Sequence, residues 1–123
     1  MRFEKWQALG NDYLIVEFED LPWELTAGRI EALCHRNFGP GADGVLLLDS
    51  TSGPEVAHLR IFNPDGSEAE LSGNGAREAA MYLFAHQWAD TPTFSILTAA
   101  GTVTPTVLDE RNCSMELGSA KTT

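Results

Sequence analysis

The sequence predicts one α+β domain with several short β-strands and one apolar helix that other elements enclose. Short runs rich in β-forming residues recur along the chain and are separated by Gly, Pro, Asn and Asp. One longer segment in the second half instead carries apolar residues at helical spacing and few charges on any face. With 123 residues, of which 43% are hydrophobic, the chain can bury one core, so we expect a single domain.

The first third of the chain predicts a pair of strands followed by a helix. Residues 3–9 and 13–18 are β-type runs, and the Gly-Asn-Asp turn at 10–12 between them predicts a hairpin or a strand–loop–strand unit. Thr26 can cap a helix, and the segment 37–39, which holds Asn and Gly, ends it. The apolar residues at helical spacing in this helix are Ile30, Leu33 and Cys34.

The middle of the chain predicts two further strands. A loop rich in Gly and Pro at 39–44 leads into the short apolar run 45–48, and a Ser/Gly/Pro turn then precedes the run 56–62. Apolar and polar residues alternate in this second run, as on a half-buried strand. The turn composition Asn-Pro-Asp-Gly at 63–66 ends it.

The segment from Gly75 to Trp88 predicts the central helix. Its other faces also carry apolar side chains, with few charges beyond Arg77 and Glu78, so other elements should enclose it. The residues of its apolar stripe are Ala76, Ala79, Ala80, Leu83, Phe84 and Trp88. The β-type runs that follow this helix are 94–97, 103–108 and 113–117.

The composition excludes several classes of partner and site. Eight Lys and Arg against eighteen Asp and Glu give a net charge of −10, which repels the phosphates of nucleic acids and of anionic membranes. The sequence has neither an apolar run near the roughly 20 residues that span a bilayer nor a signal-peptide stretch, so we expect a cytoplasmic protein. Cys34 and Cys113 form no CxxC pair and the histidines lack metal-ligand spacing, so we expect no metal. Arg60 and Arg77 are interpreted as structural or surface charges.

Three loops hold polar residues that a globular core does not need. They are Gly10-Asn11-Asp12, Asn63-Pro64-Asp65-Gly66 and Ser72-Gly73-Asn74-Gly75. The third loop leaves backbone N–H groups at the positive end of a helix, a site for a carboxylate or phosphate that Gly73 and Gly75 allow to approach. A Ser or Asn before a helix also serves as an N-cap, and Asn11 and Asn63 also suit turns, so both interpretations stay open.

Four motifs resemble, in order, the signatures of diaminopimelate epimerases. They are ALGNDY at 8–13, GPGADG at 39–44, RIFNPDGSEAE at 60–70 and SGNGAR at 72–77. The resemblance implies mixed, mostly antiparallel strands wrapped around a central buried helix, in one of two similar domains that bind substrate between them. Residues 1–123 would form the N-terminal domain of such a two-domain epimerase, and the second, C-terminal domain would be absent from this chain.

The resemblance also implies a reaction. Family members use no cofactor and invert one α-carbon of LL-diaminopimelate to give the meso form, for lysine and cell-wall synthesis. One cysteine thiolate removes the α-proton, and a second thiol from the other domain returns one. The expected partners are the diaminopimelate substrate and the missing C-terminal domain, and a homodimer is a further assembly that we consider.

The same resemblance assigns the substrate-binding residues. Asn11 and Asn63 would bind the distal, non-reacting end of the substrate, while Gly73 and Asn74 would hold the reacting α-carboxylate. Some family members have a substrate-contacting glutamine where this chain has Gly44, so that contact is absent or replaced here.

Ser72 would occupy the place of the first catalytic cysteine, and it is the main departure from the family. A hydroxyl, unlike a thiol, does not lose its proton near neutral pH without an adjacent strong base. An engineered Cys→Ser substitution, a natural variant in which Ser72 donates a proton or acts through a relay, and a protein that binds without epimerising are the three explanations. The natural variant is favoured because Glu70-Leu71 and Glu78-Ala79 also differ from the commonest family sequence.

Two other functions stay open beside the epimerase. A non-catalytic homologue would keep the carboxylate site and lack the thiol base. A different isomerase of the same fold, such as a proline racemase or a phenazine-pathway-type isomerase, is not expected to carry both the 60–70 and the 72–77 motifs. In the epimerase reading the chain alone holds at most one of two acid/base groups, so we expect it to be inactive by itself.

Overall fold

The computed structural model describes residues 2–8, 10–36, 39, 41–108 and 113–116, which form eight strands and two α-helices. The strands are β1 (Glu4–Ala8), β2 (Asn11–Glu17), β3 (Gly44–Asp49), β4 (Ala57–Phe62), β5 (Glu68–Ala69), β6 (Ile96–Thr98), β7 (Gly101–Val107) and β8 (Cys113–Glu116). The helices are α1 (Ala27–Cys34) and α2 (Gly73–Ala85), and a short 3-10 turn spans Phe18–Asp20. Neither α-helix, within the described ranges, has the length and apolarity needed to cross a membrane.

The strands form one sheet in the order β1-β2-β3-β4-β6-β7-β8, and β5 adds to β4. Five of the seven pairings between these described strands are antiparallel. The two parallel pairings join β2 with β3 and β4 with β6. The predicted α+β fold with mixed, mostly antiparallel strands is therefore confirmed.

Helix α2 contacts strands from both ends of this order, β1 and β8, so the sheet curls around it. Ala76, Ala79 and Ala80 are fully buried, and their small side chains allow the strands to lie close to the helix. Leu83 is fully buried one turn further along. The strand residues packed in the same core include Ile15, Leu46, Leu59 and Ile96. The prediction of a central helix enclosed by other elements is confirmed.

Strands β2 and β3 are buried on both faces. On β2, Ile15 packs in the core around α2, whereas Leu14 and Val16 belong to a second core under α1. Helix α1 contributes Ile30 and Cys34 to that second core. The parallel pair thus lies between two layers, which explains why the sequences YLIV and VLLL are nearly continuous apolar runs.

Helix α2 begins and ends earlier than predicted. Its first residue is Gly73, directly after the N-cap, and its last is Ala85, so Trp88 lies beyond the helix. Gln87 has a φ of 64°, a left-handed conformation that a continuing helix does not accommodate. The N–H of Trp88 then donates to the Leu83 carbonyl at 2.9 Å, which turns the chain back toward the core.

Two boundaries in the first third also differ from the predicted ones. Helix α1 is capped by Thr26 as expected, since its side chain accepts a hydrogen bond from the Arg29 N–H, but the helix ends at Cys34. It therefore ends before the predicted stop at 37–39, of which Asn37 lies outside the described residues. The β1–β2 hairpin is confirmed, but β2 includes positions 11 and 12 of the predicted turn, and Gly10 turns the chain with a φ of 84°.

Candidate active site

The three polar loops meet at one end of the sheet. The start of β2 pairs in parallel with the start of β3, and the end of β4 pairs with the same part of β3. Asn11 at the start of β2, Gly44 at the start of β3 and Asn63 just beyond β4 consequently lie at the same end. The first turn of α2 reaches this end as well, because Ser72 and Asn74 both contact β2 there.

Ser72 is the N-cap of α2. Its Oγ accepts a hydrogen bond from the backbone N–H of Gly75 at 3.1 Å, and its φ of −132° is extended, as N-cap residues require. The hydroxyl of Tyr13, on β2, lies 3.1 Å from the same Oγ. The N-cap interpretation of Ser72 is confirmed, and its side chain is half-buried at the end of the helix.

Two backbone N–H groups at this end of α2 have no acceptor in the described part of the chain. Gly75 donates to Ser72 Oγ, and Ala76 donates to the Ser72 carbonyl at 2.8 Å. The N–H groups of Gly73 and Asn74 have no acceptor among the described residues. Because a helix N-terminus carries the equivalent of about half a positive charge, two unpaired N–H groups there suit a carboxylate.

The space available to a side chain differs between Gly73 and Gly75. A β-carbon at Gly73 would meet only the Arg77 guanidinium, at 3.5 Å, so packing within the described chain does not require glycine at this position. A β-carbon at Gly75 would stand 3.2 Å from the Leu46 side chain and 3.3 Å from Ser72 Oγ. The space beside Gly73 is open, and the approach of an anion there stays a prediction. The N–H of Gly75 already bonds Ser72, and a β-carbon at this position would press on the Leu46 side chain.

Asn11 and Asn74 contact each other directly. The side-chain amide of Asn74 donates to the Asn11 side-chain oxygen at 2.7 Å, across 63 positions of sequence. This bond ties the first turn of α2 to the start of β2. It brings together one residue predicted to bind the distal end of the substrate and one predicted to hold its α-carboxylate.

Asn63 stays within its own turn. Its side-chain amide donates to the Ser67 hydroxyl at 3.0 Å, and its carbonyl accepts from the Gly66 N–H at 2.9 Å. The Ser67 hydroxyl in turn donates to Asp65 at 2.6 Å. Among the described residues, no hydrogen bond joins Asn63 to Asn11 or to the first turn of α2. The turn interpretation of Asn63 is therefore confirmed, while its exposed position at the same sheet end is compatible with the binding role.

The two arginines near the site have different environments. Arg60 forms a two-pronged ion pair with Glu68 at 2.9 and 3.1 Å, as expected of a structural charge. Arg77 is half-buried and has no ion-pair partner among the described residues, and its guanidinium lies over Gly73. The sequence interpretation of Arg77 as a structural or surface charge missed this position. The signal was its spacing of four residues from Gly73, which places both on one helix face.

A network of charged residues fixes the loop that precedes β3. Arg36 donates to Asp12 and to Asp43, at 3.1 Å in each case. The N–H of Asp12 donates to the Asp43 carboxylate at 2.8 Å, and the N–H of Asp43 donates to the Asp12 carbonyl at 2.8 Å. The hydrogen bonds from Arg36 and Gln7 hold the pKa of Asp12 below its usual value. The end of the GPGADG motif is thereby joined to the start of β2, beside Asn11.

Glu78 lies beneath the site on α2, one helical turn after Asn74. Its side chain is only 1% exposed, and neither carboxyl oxygen has a hydrogen-bond partner among the described residues. Burial raises the pKa of Glu78 to about 8, and the negative charges of Asp12 and Asp43 add to the effect. At neutral pH the protonated form therefore predominates. Sequence reasoning noted Glu78 as one of the few charges on the helix and as an unusual neighbour of the motif, and gave it no role.

The described residues offer neither a metal site nor a replacement thiol. No group of three or more His, Cys, Asp or Glu in that part of the chain is placed to hold a metal ion. Cys34 is buried under α1 in the second core, and burial raises the pKa of its thiol. A thiol that resists ionisation on the opposite side of the sheet cannot act as the base at Ser72. The side chain of Cys113 lies outside the described structure.

Comparison with known proteins supports the resemblance. Residues 3–123 match the family model described as diaminopimelate epimerase. The chain is 48% identical over 119 residues to a protein named diaminopimelate epimerase 2 from Nostoc sp.. The aligned stretch covers 96% of this chain and 42% of the relative. It is 38% identical to a diaminopimelate epimerase from Cyanothece sp., over 98% of this chain and 45% of the relative. The chain thus spans less than half the length of these curated relatives.

Solved structures show the same fold at low sequence identity. A phenazine biosynthesis protein of the PhzF family from Bacillus anthracis has a TM-score of 0.63 at 18% identity, covering 92% of this chain and 37% of that one. A hydroxyproline epimerase from Agrobacterium vitis has a TM-score of 0.57 at 20% identity, covering 86% of this chain and 38% of that one. At these identities the likeness establishes the fold, and the family follows from the sequence match. The chain belongs to the diaminopimelate epimerase family.

Proposed function

We propose that this chain is the N-terminal half of a cofactor-independent epimerase that converts LL-diaminopimelate to the meso form. The observation that carries the proposal is the first turn of α2. There the free N–H groups of Gly73 and Asn74 lie next to the Ser72 hydroxyl, which stands where the family has its first catalytic cysteine. Arg77 adds a positive charge over Gly73. The same short segment therefore combines a carboxylate site with a group able to transfer a proton.

The chemistry of epimerisation explains why a carboxylate site and a proton-transfer group occur in the same segment. A proton on the α-carbon of an amino acid is hard to remove, because the carbanion that remains is poorly stabilised. The positive end of α2 would draw negative charge into the α-carboxylate as that carbanion forms. Asn11 and Asn63, at the same end of the sheet, would bind the distal amino-acid group. Each of these contacts orients the α-carbon toward Ser72 and needs no cofactor.

A second half must complete this site. Inversion requires one group on each face of the α-carbon, and the first turn of α2 supplies a group for one face only. The curated relatives are more than twice as long as the stretch that this chain matches. We therefore assign residues 1–123 to an N-terminal domain and the opposing acid/base group to a C-terminal domain, with the substrate bound between the two.

A non-catalytic homologue that binds the amino-acid carboxylate is the second candidate. The observation that favours it is Ser72, whose Oγ acts as an N-cap and is not paired with any basic side chain in the described structure. A hydroxyl in this setting does not ionise unaided near neutral pH, so it cannot act as the base that removes an α-proton. The carboxylate site formed by Gly73 and Asn74 would remain intact in such a protein.

Assays of the full-length protein separate the two candidates. We expect conversion of LL- to meso-diaminopimelate, followed by chiral chromatography, and a loss of at least about 100-fold in kcat for Ser72→Ala, because a proton-transfer group is removed. Ser95→Ala, which removes a hydroxyl from the loop before β6, is the matched control and should leave kcat unchanged. Full activity of Ser72→Ala would contradict the role of Ser72. Calorimetric binding of diaminopimelate by the unmutated protein without any conversion would establish the binding homologue instead.

A further inference from the structure

Tyr13 and Ser72 form a hydroxyl pair that the sequence motifs do not reveal. The Tyr13 hydroxyl lies 3.1 Å from Ser72 Oγ, and the two residues are 59 positions apart. Ser72 Oγ also accepts the Gly75 N–H at 3.1 Å. The serine oxygen is thus contacted from two sides by groups of the protein itself, one on β2 and one on α2.

The position of the Tyr13 ring depends on the absence of a side chain at Gly44. The two residues are directly paired across β2 and β3. A β-carbon at Gly44 would stand 2.9 Å from Tyr13 Cε1 and 2.6 Å from the Phe62 carbonyl oxygen, both closer than real β-carbons approach. Glycine therefore allows the Tyr13 ring to pack close to β3, in the position from which its hydroxyl contacts Ser72. Gly44 and Ser72 are both departures of this chain from the family pattern, and both are neighbours of Tyr13.

Burial decides which of the two hydroxyls donates. Tyr13 is 8% exposed, and its hydroxyl has no other hydrogen-bond partner in the described structure. If Ser72 donated to Tyr13, the phenolic hydrogen would be left buried without an acceptor, at a cost of about 1 to 3 kcal/mol. Ser72 is half-buried, so its own hydrogen can reach solvent or a ligand. Burial of Tyr13 therefore favours its hydroxyl as the donor to Ser72 Oγ.

We propose that Tyr13 is a positioning residue that sets Ser72 as a proton donor facing the substrate. This inference rests on the proposed function. The N–H of Gly75 and the hydroxyl of Tyr13 occupy both lone pairs of Ser72 Oγ, which leaves the Ser72 hydrogen to be donated. In the reaction, the opposing acid/base group of the second domain takes the α-proton, the Ser72 O–H bond breaks, and a new C–H bond forms on the other face. The alkoxide keeps both hydrogen bonds until solvent reprotonates it, and the opposing group releases its proton to solvent.

A thiol placed at position 72 reports the Tyr13 hydrogen bond without any need for activity. In the 123-residue chain with Ser72→Cys, the rate of iodoacetamide alkylation against pH gives the pKa of that thiol, followed by mass spectrometry on the peptide that carries position 72. Adding Tyr13→Phe should raise this pKa by about one unit, because a hydrogen bond to the thiolate is lost. Tyr82→Phe is the matched control, since the Tyr82 hydroxyl donates to Glu17 instead. An unchanged thiol pKa on Tyr13→Phe, or an equal shift on Tyr82→Phe, overturns the proposal.

A second measurement keeps the test decisive if Tyr13→Phe folds poorly. The chain has two tyrosines, so fluorotyrosine incorporated into the Ser72→Cys/Tyr82→Phe variant labels Tyr13 alone. A fluorinated phenol is a stronger hydrogen-bond donor, and it should lower the thiol pKa at position 72. A thiol pKa that does not fall contradicts the donor role of Tyr13. Both outcomes are independent of whether the full-length protein epimerises diaminopimelate, which the assay of Ser72→Ala tests.

Discussion

Glu78 places a carboxyl group inside the core around α2, where neither oxygen has a hydrogen-bond partner among the described residues. The surrounding strands supply apolar side chains, and the nearby charges of Asp12 and Asp43 are negative. Both conditions disfavour the ionised form and raise the pKa of the Glu78 carboxyl to about 8. Ionisation would place an unpaired charge at a buried position one helical turn after Asn74, near the negative charges of Asp12 and Asp43, and the neutral form avoids that repulsion.

The raised pKa of Glu78 predicts that stability falls as pH rises. The stabilising neutral form is present in full below the ordinary pKa near 4.5 and is lost progressively up to about pH 8. Each unit of pKa shift corresponds to about 1.4 kcal/mol, so the free energy of unfolding should drop by several kcal/mol across this window. Glu78→Gln should remove this dependence. Urea unfolding of both proteins from pH 5 to pH 9 measures it, and a parallel decline in the two would contradict the account of Glu78.

At the residue scale the sequence identified the N-cap and the free helix end that we propose as a carboxylate site, but missed what surrounds them. Ser72, Gly73 and Asn74 are recognisable because a helix N-terminus depends on local sequence. Tyr13 lacks such a signal, whereas Arg77 has one in its spacing of four residues from Gly73. Tyr13 looks like one apolar residue of a buried strand, and only the pairing of β2 with β3 and the position of α2 bring its hydroxyl to Ser72. Contacts across 59 positions depend on topology, which the spacing of residues does not encode.

At the element scale, the pairing of the parallel strands β2 and β3 positions the residues of the candidate site. The pairing places Tyr13 against Gly44, and the antiparallel partner β4 brings the Phe62 carbonyl to the same point. At Gly44, β3 therefore has no room for a side chain between its two neighbouring strands. The salt-bridge network of Arg36 with Asp12 and Asp43 fixes the loop just before it.

Gly44→Ala should destabilise the chain by about 2 kcal/mol, because the new β-carbon would overlap a backbone oxygen that can yield only if β3 and β4 separate. Gly28→Ala in α1 is the matched control. Nothing lies within 4 Å of a β-carbon at Gly28, and alanine favours helix, so this variant should gain about 0.5 kcal/mol. Chemical denaturation of both variants measures the difference. If Gly44→Ala were as stable as the original chain, the close packing described at this position would be wrong.

The helices and strands could largely be predicted from the sequence, whereas the residues at which they begin and end could not. The apolar stripe of α2 and the alternating pattern of β4 follow from periodicity, which depends only on local sequence. The end of α2 at Ala85 depends on the left-handed turn at Gln87, a residue type with no strong preference for that conformation. The start of β2 at Asn11 depends on pairing with β1, which overrides the turn composition of that segment.

At the scale of the whole molecule, the residues predicted to bind substrate lie at one end of a single curled sheet. Asn11, Gly73 and Asn74 are joined there by the Asn11–Asn74 hydrogen bond and the shared first turn of α2. In our proposal, Gly73 and Asn74 hold the α-carboxylate, Asn11 binds the distal end, and one face of the α-carbon meets Ser72. Our proposal places the group for the opposite face in a second domain, in keeping with the greater length of the curated relatives.

Exchange of the α-hydrogen of diaminopimelate with solvent deuterium tests this division of the site most directly. NMR spectra of LL-diaminopimelate in deuterated buffer would be followed with the 123-residue chain alone and with the full-length protein. We expect loss of the α-proton signal with the full-length protein and none with the chain alone, because only the complete site has a group on each face of the α-carbon. Exchange at an enzymic rate with the chain alone, or a full-length protein that binds diaminopimelate without exchange, would contradict the account.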